Sequence, residues 1–372
     1  MSTIGSEREA DREGRDGQDA RADAQSEASI ARPSATPHLA RSPAMTDVAK
    51  LAGVSHQTVS RVLNDHPAVR DSTRRRVLAA IEELGYRPNQ AARALVTGRT
   101  RTLGLVTLDT TLFGPVATLY GIERAARASG YFVSVVSLSS IDRWSVAEAV
   151  ARLMEQAVAG VIVIAPLVSA ATALIGLPAA LPAVVVEGDP EADVPVVTVD
   201  QRTGARLATE HLLGLGHPTV FHVAGPTEWT EARARTAGWR AALEAAGADV
   251  PAVLAGDWTA HSGFERGKAL ARIPEASAVF VANDHMALGL LRALVEGGRR
   301  VPEDVSIVGF DDIAESEFFT PPLTTVHQDF EEVGRQSLDL LLEQVETGTR
   351  TVERRVIAPR LVRRASTVAP PG

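Results

Sequence analysis

The 372-residue sequence predicts a multidomain fold: a small all-α helix-turn-helix headpiece followed by a two-lobed α/β body of doubly wound parallel sheets. Three observations carry this reading. Residues 47–64, DVAKLAGVSHQTVSRVLN, fit two short helices joined at a glycine. From Thr102 onward, short apolar runs alternate with helical segments in two successive series, which is βαβ logic repeated. Charge is divided by segment, with a net of −2 over residues 1–44, +5 over 45–101 and −11 over 102–372, so a basic module precedes an acidic body. The length points to two or three domains. The absence of cysteine excludes disulfides and cysteine-ligated metals and suits a reducing cytoplasm.

Residues 1–44 are rich in Arg, Asp, Glu, Ala and Ser and close with Pro33, Pro37 and Pro43, so they are expected to form a disordered extension, with Met45 an alternative start. They contain no apolar run of signal-peptide type.

Residues 45–88 form the expected headpiece. Thr46 is placed to cap the first helix, Gly53 to turn the corner and Ser55 to cap the second. At about 100° per residue, His56, Gln57, Ser60, Arg61 and Asn64 share one arc of the second helix while Val59, Val62 and Leu63 fall opposite. One face can hydrogen-bond to base edges in a major groove; the other packs on Val48 and Leu51. An ordinary amphipathic surface helix has the same pattern, so the second helix alone does not decide the matter. A third helix is expected from a cap at Asp71 or Ser72 to Leu84, with Val77, Ile81 and Leu84 inward, Gly85 ending it, and Arg74, Arg75 and Arg76 placed for phosphates.

Residues 89–101 read as a hinge. Pro88 breaks, Asn89 caps, and Gln90 to Val96 make about two turns, a helix too short to persist in water unless something holds it.

The body is expected to span 102–365, with a tail from 366 to 372. TLGLVTL, YFVSVVSL, GVIVIAP and PAVVVEG supply strands of the first series, with helices near 116–129 and 145–158. VVTVD opens the second series, with TVFHVAGP, AVFVAND and VSIVGFDD as strands and helices near 201–214, 231–246, 261–271 and 285–296. Residues 157–186 carry no charge, but Pro166, Pro178, Pro182, Gly160 and Gly176 would break a membrane helix, so two buried strands explain the stretch and no membrane partner is expected. Ligands of such sheets sit beyond the carboxyl ends of the strands. Polar and aromatic residues gather there: Trp229, Arg233 and Arg235; Trp258; Asn283 and Asp284; Asp311 and Asp312; Gln328 and Phe330. A flat aromatic with Asp, Asn and Arg beside it is the chemistry of carbohydrate recognition, although Asp312 could instead cap a helix and Arg233 could pair with Glu231.

Residues 45–102, through DVAKLAGVSHQTVSRVLN, TRRRVLAAIEELGYRPNQAARAL and TLGLV, resemble the headpiece and hinge of the LacI/GalR family of bacterial transcription regulators. EARARTAGW, GDWTAHSGF, VANDHMALG, VGFDD and PPLTTVHQDF resemble its lactose-repressor-like branch. The resemblance implies a periplasmic-binding-protein-like body and paired hinge helices in the minor groove, with Leu95 as the wedge into the central base step. In isolation Leu95 would read as a core residue. It further implies DNA contacts from Ser55, His56, Gln57, Ser60, Arg61, Asn64, Arg74, Asn89, Arg93 and Leu95, and ligand contacts from Leu112, Glu187, Arg235, Trp258, Asn283, Asp311 and Phe330. Leu108 and Ile164 depart from that branch, which has polar side chains there, and His56 stands where it has tyrosine.

The expected function is a homodimeric cytoplasmic repressor that binds an inverted-repeat operator and is released by a small sugar. The nearest rival keeps the fold and reverses the sign, with a corepressor such as a purine tightening DNA binding. A solute-binding protein would need a signal peptide and no headpiece. An enzyme finds no support: P-loop, HExxH and GxSxG are absent, GLGHP precedes a strand rather than following one, and the nine histidines show no metal spacing, so no cofactor or metal is expected. RLVRRASTVAPPG has no apolar heptad, which favours a dimer over a tetramer.

Overall fold

The computed structural model describes residues 43–63, 65–87, 100–108, 110–168, 178, 180–188 and 194–370. It divides into two units, the first ending at Pro88 and the second beginning at Asn89. The amino-terminal extension, Asn64 and the hinge with Asn89, Arg93 and Leu95 lie outside the described residues.

In the first unit, α1 (Met45–Ala52) ends at Gly53 with φ 62°, α2 (His56–Leu63) follows, and α3 (Asp71–Leu84) ends at Gly85 with φ 59°. Both glycines take the left-handed conformation that a helix stop favours. The three helices bury Val48, Ala49, Ala52, Val59, Val62, Val77 and Ala80 against one another. Ser55 caps α2 as expected, its Oγ accepting the Thr58 amide at 3.2 Å. Other expectations need correction. Ala44 is the N-cap of α1, and the Asp47 carboxylate accepts the Ala44 amide at 2.8 Å, so Thr46 lies inside the helix. Arg70 is the N-cap of α3, without a side-chain cap bond, and Asp71 falls in its first turn, where a negative charge suits the helix dipole. Leu51 is 46% exposed, because Val48, Ala49 and Ala52 take the inward positions.

The second unit holds two six-stranded sheets. The first is built from β1 (Thr102–Leu108), β2 (Phe132–Leu138), β3 (Val161–Ile164), β4 (Ala183–Val186), β5 (Val196–Val199) and β11 (Arg354–Ile357), in the order β11-β5-β4-β3-β1-β2. The second is built from β6 (Phe221–Ala224), β7 (Leu254–Ala255), β8 (Ala278–Val281), β9 (Ser306–Asp311), β10 (Thr324–His327) and β12 (Arg360–Val362), in the order β12-β10-β9-β8-β6-β7. Every pairing is parallel except β10 with β12. Central strands such as β3 and β4 are buried on both faces, which explains their unbroken Val and Ile runs. No helix among the described residues is long and apolar enough to cross a membrane.

Helices α4 (Phe113–Ala128), α5 (Arg143–Glu155), α6 (Gln201–Gly214), α7 (Thr230–Ala245), α8 (Ala260–Leu270), α9 (Asp284–Glu296) and α10 (Phe330–Thr347) cover the sheets. The chain passes between lobes three times. It leaves β5 for α6, whose Ala205, Ala208 and Leu212 pack under the second sheet with Phe280 and Phe310. It leaves β10 for α10, whose Val333, Leu338, Leu340 and Leu341 return to the first sheet. It leaves β11 for β12, one in each sheet. At the crossing of α4 and α10 a Cβ on Gly334 would overlap the backbone of Gly121, so these helices meet backbone to backbone. Past β12, the Ser366 hydroxyl accepts the Thr324 amide at 2.8 Å and donates to the Ile307 carbonyl at 2.6 Å, which ties the end of the chain to the second sheet.

Candidate functional site

The carboxyl ends of the two sheets face a cleft open to solvent, with about 340 Å³ of empty space at its outer part and about 280 Å³ at an adjoining inner part. The start of α4 supplies Leu112 and Phe113 to the outer wall; the start of α7 supplies Trp229, Glu231 and Arg235; and strand ends supply Trp258, Asn283 and Asp311. Glu187, Gln201, Gln328, Phe330 and Ile164 line the inner part, and Glu231 and Arg235 border both. All seven ligand candidates therefore reach one cleft. The departure at Ile164 does as well.

The polar groups form a closed ring. Arg235 Nε donates to Gln201 Oε1 at 2.9 Å, Gln201 Nε2 to Gln328 Oε1 at 2.8 Å, and Gln328 Nε2 to Asp311 Oδ1 at 2.8 Å; Asp311 Oδ1 lies 3.5 Å from Arg235 Nη1. Arg235 also donates to the Ala282 carbonyl, and its guanidinium stacks 3.8 Å from the Phe310 ring centre. Gln201 and Gln328 sit at two of the three passages between lobes, so the ring ties those interlobe crossings to the pocket. Glu187 accepts from the Val199 amide at 3.2 Å and the Thr198 hydroxyl at 3.0 Å.

Burial dominates the electrostatics. It raises Glu187 above the ordinary carboxylate range, against the hydrogen bonds and Arg235. Burial raises Asp311 to about 6, with Arg235 and Gln328 opposing. Burial, then the neighbouring Glu187, raises Glu231 to about 8, with Arg235 opposing. Two atoms in the outer wall are enclosed without a hydrogen-bond partner: Glu231 Oε2 and Trp258 Nε1.

Local conformation is unusual at this rim. Glu187, Trp258, Asp311 and Asp312 all have positive φ, at 57°, 74°, 112° and 56°, a strain of about 1–3 kcal/mol each that clusters at binding sites. Asn283 helps to hold it: Nδ2 donates to the Trp258 carbonyl at 3.0 Å, and Oδ1 accepts the Met286 amide at 2.9 Å. Asp312 caps no helix; it pairs with Arg364 at 2.7 Å and His327 at 2.9 Å, because its turn directs it behind the strand ends. Arg233 is exposed rather than paired with Glu231, since it sits on the outer face of α7. Sequence reasoning missed Gln201 and gave Glu231 only as a partner for Arg233. The available signal was spacing: Glu231 stands four residues before Arg235 and so shares its helix face.

On the headpiece, His56, Gln57 and Arg61 are exposed along α2, and Ser60 is half-buried. Arg74 bonds the turn before α3, donating to Asp65 Oδ1 at 2.5 Å and to the His66 carbonyl at 3.0 Å, and remains partly exposed, while Arg75 and Arg76 are exposed.

Residues 44–89 match the bacterial regulatory proteins of the lacI family, and residues 209–367 match a periplasmic binding protein-like domain. The lactose operon repressor of Escherichia coli K12 is 37% identical over 330 residues, covering 87% of this chain and 90% of that protein. The chain belongs to the LacI family. Another LacI-family relative, the HTH-type transcriptional repressor PurR of Haemophilus influenzae, is 35% identical over 329 residues, 86% of this chain and 97% of that one. A crystal structure of the lac repressor dimer bound to operator and the anti-inducer ONPF superposes with a TM-score of 0.77 at 35% identity, covering 88% of this chain and 100% of that one. This LacI-family protein is accordingly a DNA-binding transcriptional repressor and not an enzyme. Its headpiece carries α2, and its two-lobed body carries the cleft.

Proposed function

We propose that this repressor controls sugar-utilisation genes and leaves its operator when a small carbohydrate, a galactoside or similar sugar, fills the cleft. The observation that carries the reading is the rim itself, where the Trp258 ring stands beside Arg235 and Asp311, an aromatic wall next to a buried pair able to bond adjacent hydroxyls. The lactose operon repressor among its relatives supports the sugar class. Two copies bind an inverted repeat as a cytoplasmic homodimer. His56, Gln57, Ser60 and Arg61 meet base edges; Asn64, Arg74 and its neighbours, Asn89 and Arg93 meet the backbone; and Leu95 from each copy wedges the central step. Sugar closing the lobes rearranges the ring through Gln201 and Gln328 and parts the hinges. A coupling of about 1–3 kcal/mol weakens operator binding some 5 to 150-fold.

The test is a titration of operator affinity, followed by fluorescence anisotropy, with galactosides, other sugars and purines. A sugar is expected to weaken DNA binding. Tightening by a purine, the direction a corepressor gives, would replace this reading.

A further inference from the structure

Glu231 is a pocket group whose chemistry the sugar reading leaves unused. Its Oε2 is enclosed and unpartnered, and its carboxyl borders both parts of the cleft, the inner of which it shares with Glu187. Carboxyls outnumber cations here: among the described residues, Glu231 from α7, Glu187 from the end of β4 and Asp311 from the end of β9 face the single guanidinium of Arg235. That guanidinium is already bonded to Gln201 and Ala282 beside Asp311, and Glu187 is already satisfied by Val199 and Thr198. The unmet need is therefore a partner for Glu231 Oε2 and a second cation beside its carboxyl, for lack of which Glu231 keeps its proton. A neutral hydroxyl meets the first and leaves the second; an ammonium meets both.

We infer that the effector is an amino sugar whose ammonium binds Glu231 on the side facing Glu187, while a ring or hydroxyl oxygen accepts from Trp258 Nε1. This rests on the sugar reading and narrows it. Trp258 Nε1 needs an acceptor, and Glu231 Oε2, once a bound cation has displaced the proton of its carboxyl, needs a donor, so the ligand carries both an acceptor and a cationic donor, which a simple amine does not. In the empty pocket Glu231 holds a proton at neutral pH, since burial and Glu187 raise it to about 8. Binding the ammonium sends that proton to solvent. Affinity for the amino sugar then rises as pH approaches about 8 and falls once the amine itself loses its proton.

The experiment uses the full chain and matched pairs, galactosamine with galactose and glucosamine with glucose, alongside adenine and hypoxanthine. Calorimetry and thermal shift read affinity, and calorimetry in two buffers of different ionisation enthalpy reads proton release. The amine member of a pair is expected to bind about tenfold tighter and to release a proton, and Glu231→Gln is expected to erase that preference. Proton release by the unsubstituted protein keeps the test valid if the variant folds poorly. Equal or tighter binding of the neutral member, or a preference that survives Glu231→Gln, overturns the inference and leaves the sugar reading standing. Binding of a purine alone, or of no sugar of either kind, overturns both.

Discussion

The α2 face and the cleft do opposite things with polar side chains. On α2, His56, Gln57 and Arg61 stand exposed above a small core of Val59 and Val62, and the fold does not depend on them. In the cleft, Arg235, Gln201, Gln328 and Asp311 are buried and bonded to one another, and the backbone is strained at Asp311 and at the neighbouring Glu187 and Trp258. The difference follows from the size of the ligand. A polymer is read from outside, so its contacts stay in water until it arrives. A small molecule must be surrounded, so the groups that meet it are desolvated beforehand and must satisfy each other.

The largest effect that tests this contrast comes from Arg235→Ala. It leaves Glu187, Glu231 and Asp311 without their shared cation and is expected to cost about 3–5 kcal/mol in denaturant unfolding and to abolish the effector response. A stable variant that still responds would break the comparison. Gln57→Ala and Arg61→Ala should instead leave unfolding within about 0.5 kcal/mol and cost about 1–3 kcal/mol of operator affinity by anisotropy. A graded effect comes from pH. Glu231 and Asp311 have folded values above their unfolded ones, so the stability they contribute is complete at acid pH and is lost as pH rises through about 6 and then about 8. Each pH unit over which one proton separates folded from unfolded chain is worth about 1.4 kcal/mol, and thermal melts of Glu231→Gln should show a shallower fall. Smallest is Ser55→Ala, which removes the α2 cap and should cost about 1 kcal/mol with little change in which operator is preferred.

Legibility in the sequence divides along the same line. Helix α6 runs over the residues its periodicity indicates, and the apolar runs of β3 and β4 are the buried strands they resemble, because buried parallel strands need no polar alternation. Most of the strand-end residues reach one cleft because the carboxyl ends of two doubly wound sheets face each other, whereas Asp284 turns to Ile313 and Thr325 and Asp312 to Arg364 and His327. Helix α10 and strands β11 and β12 went unrecognised. The Arg-rich β11 is an edge strand with alternating exposure, and short edge strands carry a weak apolar signal. Ala44 takes the cap position expected of Thr46 because the Asp47 carboxylate accepts the Ala44 amide from inside the helix, a one-sided bond that residue preference at one position does not reveal. Glu231 was hidden for a related reason: an acid on a helix reads as solvated until the fold shows what encloses it.

The triple passage between lobes also governs how the protein is made. Neither lobe is a continuous piece of chain, and residues 330–362 supply α10 and β11 to the first lobe and β12 to the second. During synthesis the first lobe therefore waits, with its face of Leu103, Ile162 and Val184 covered by α4 alone, until more than a hundred later residues have left the ribosome. A stop codon after β10 would strip the α10 cover from the lobe encoded first, so the fragility of this gene to late truncation lies mainly in the lobe farthest from the break.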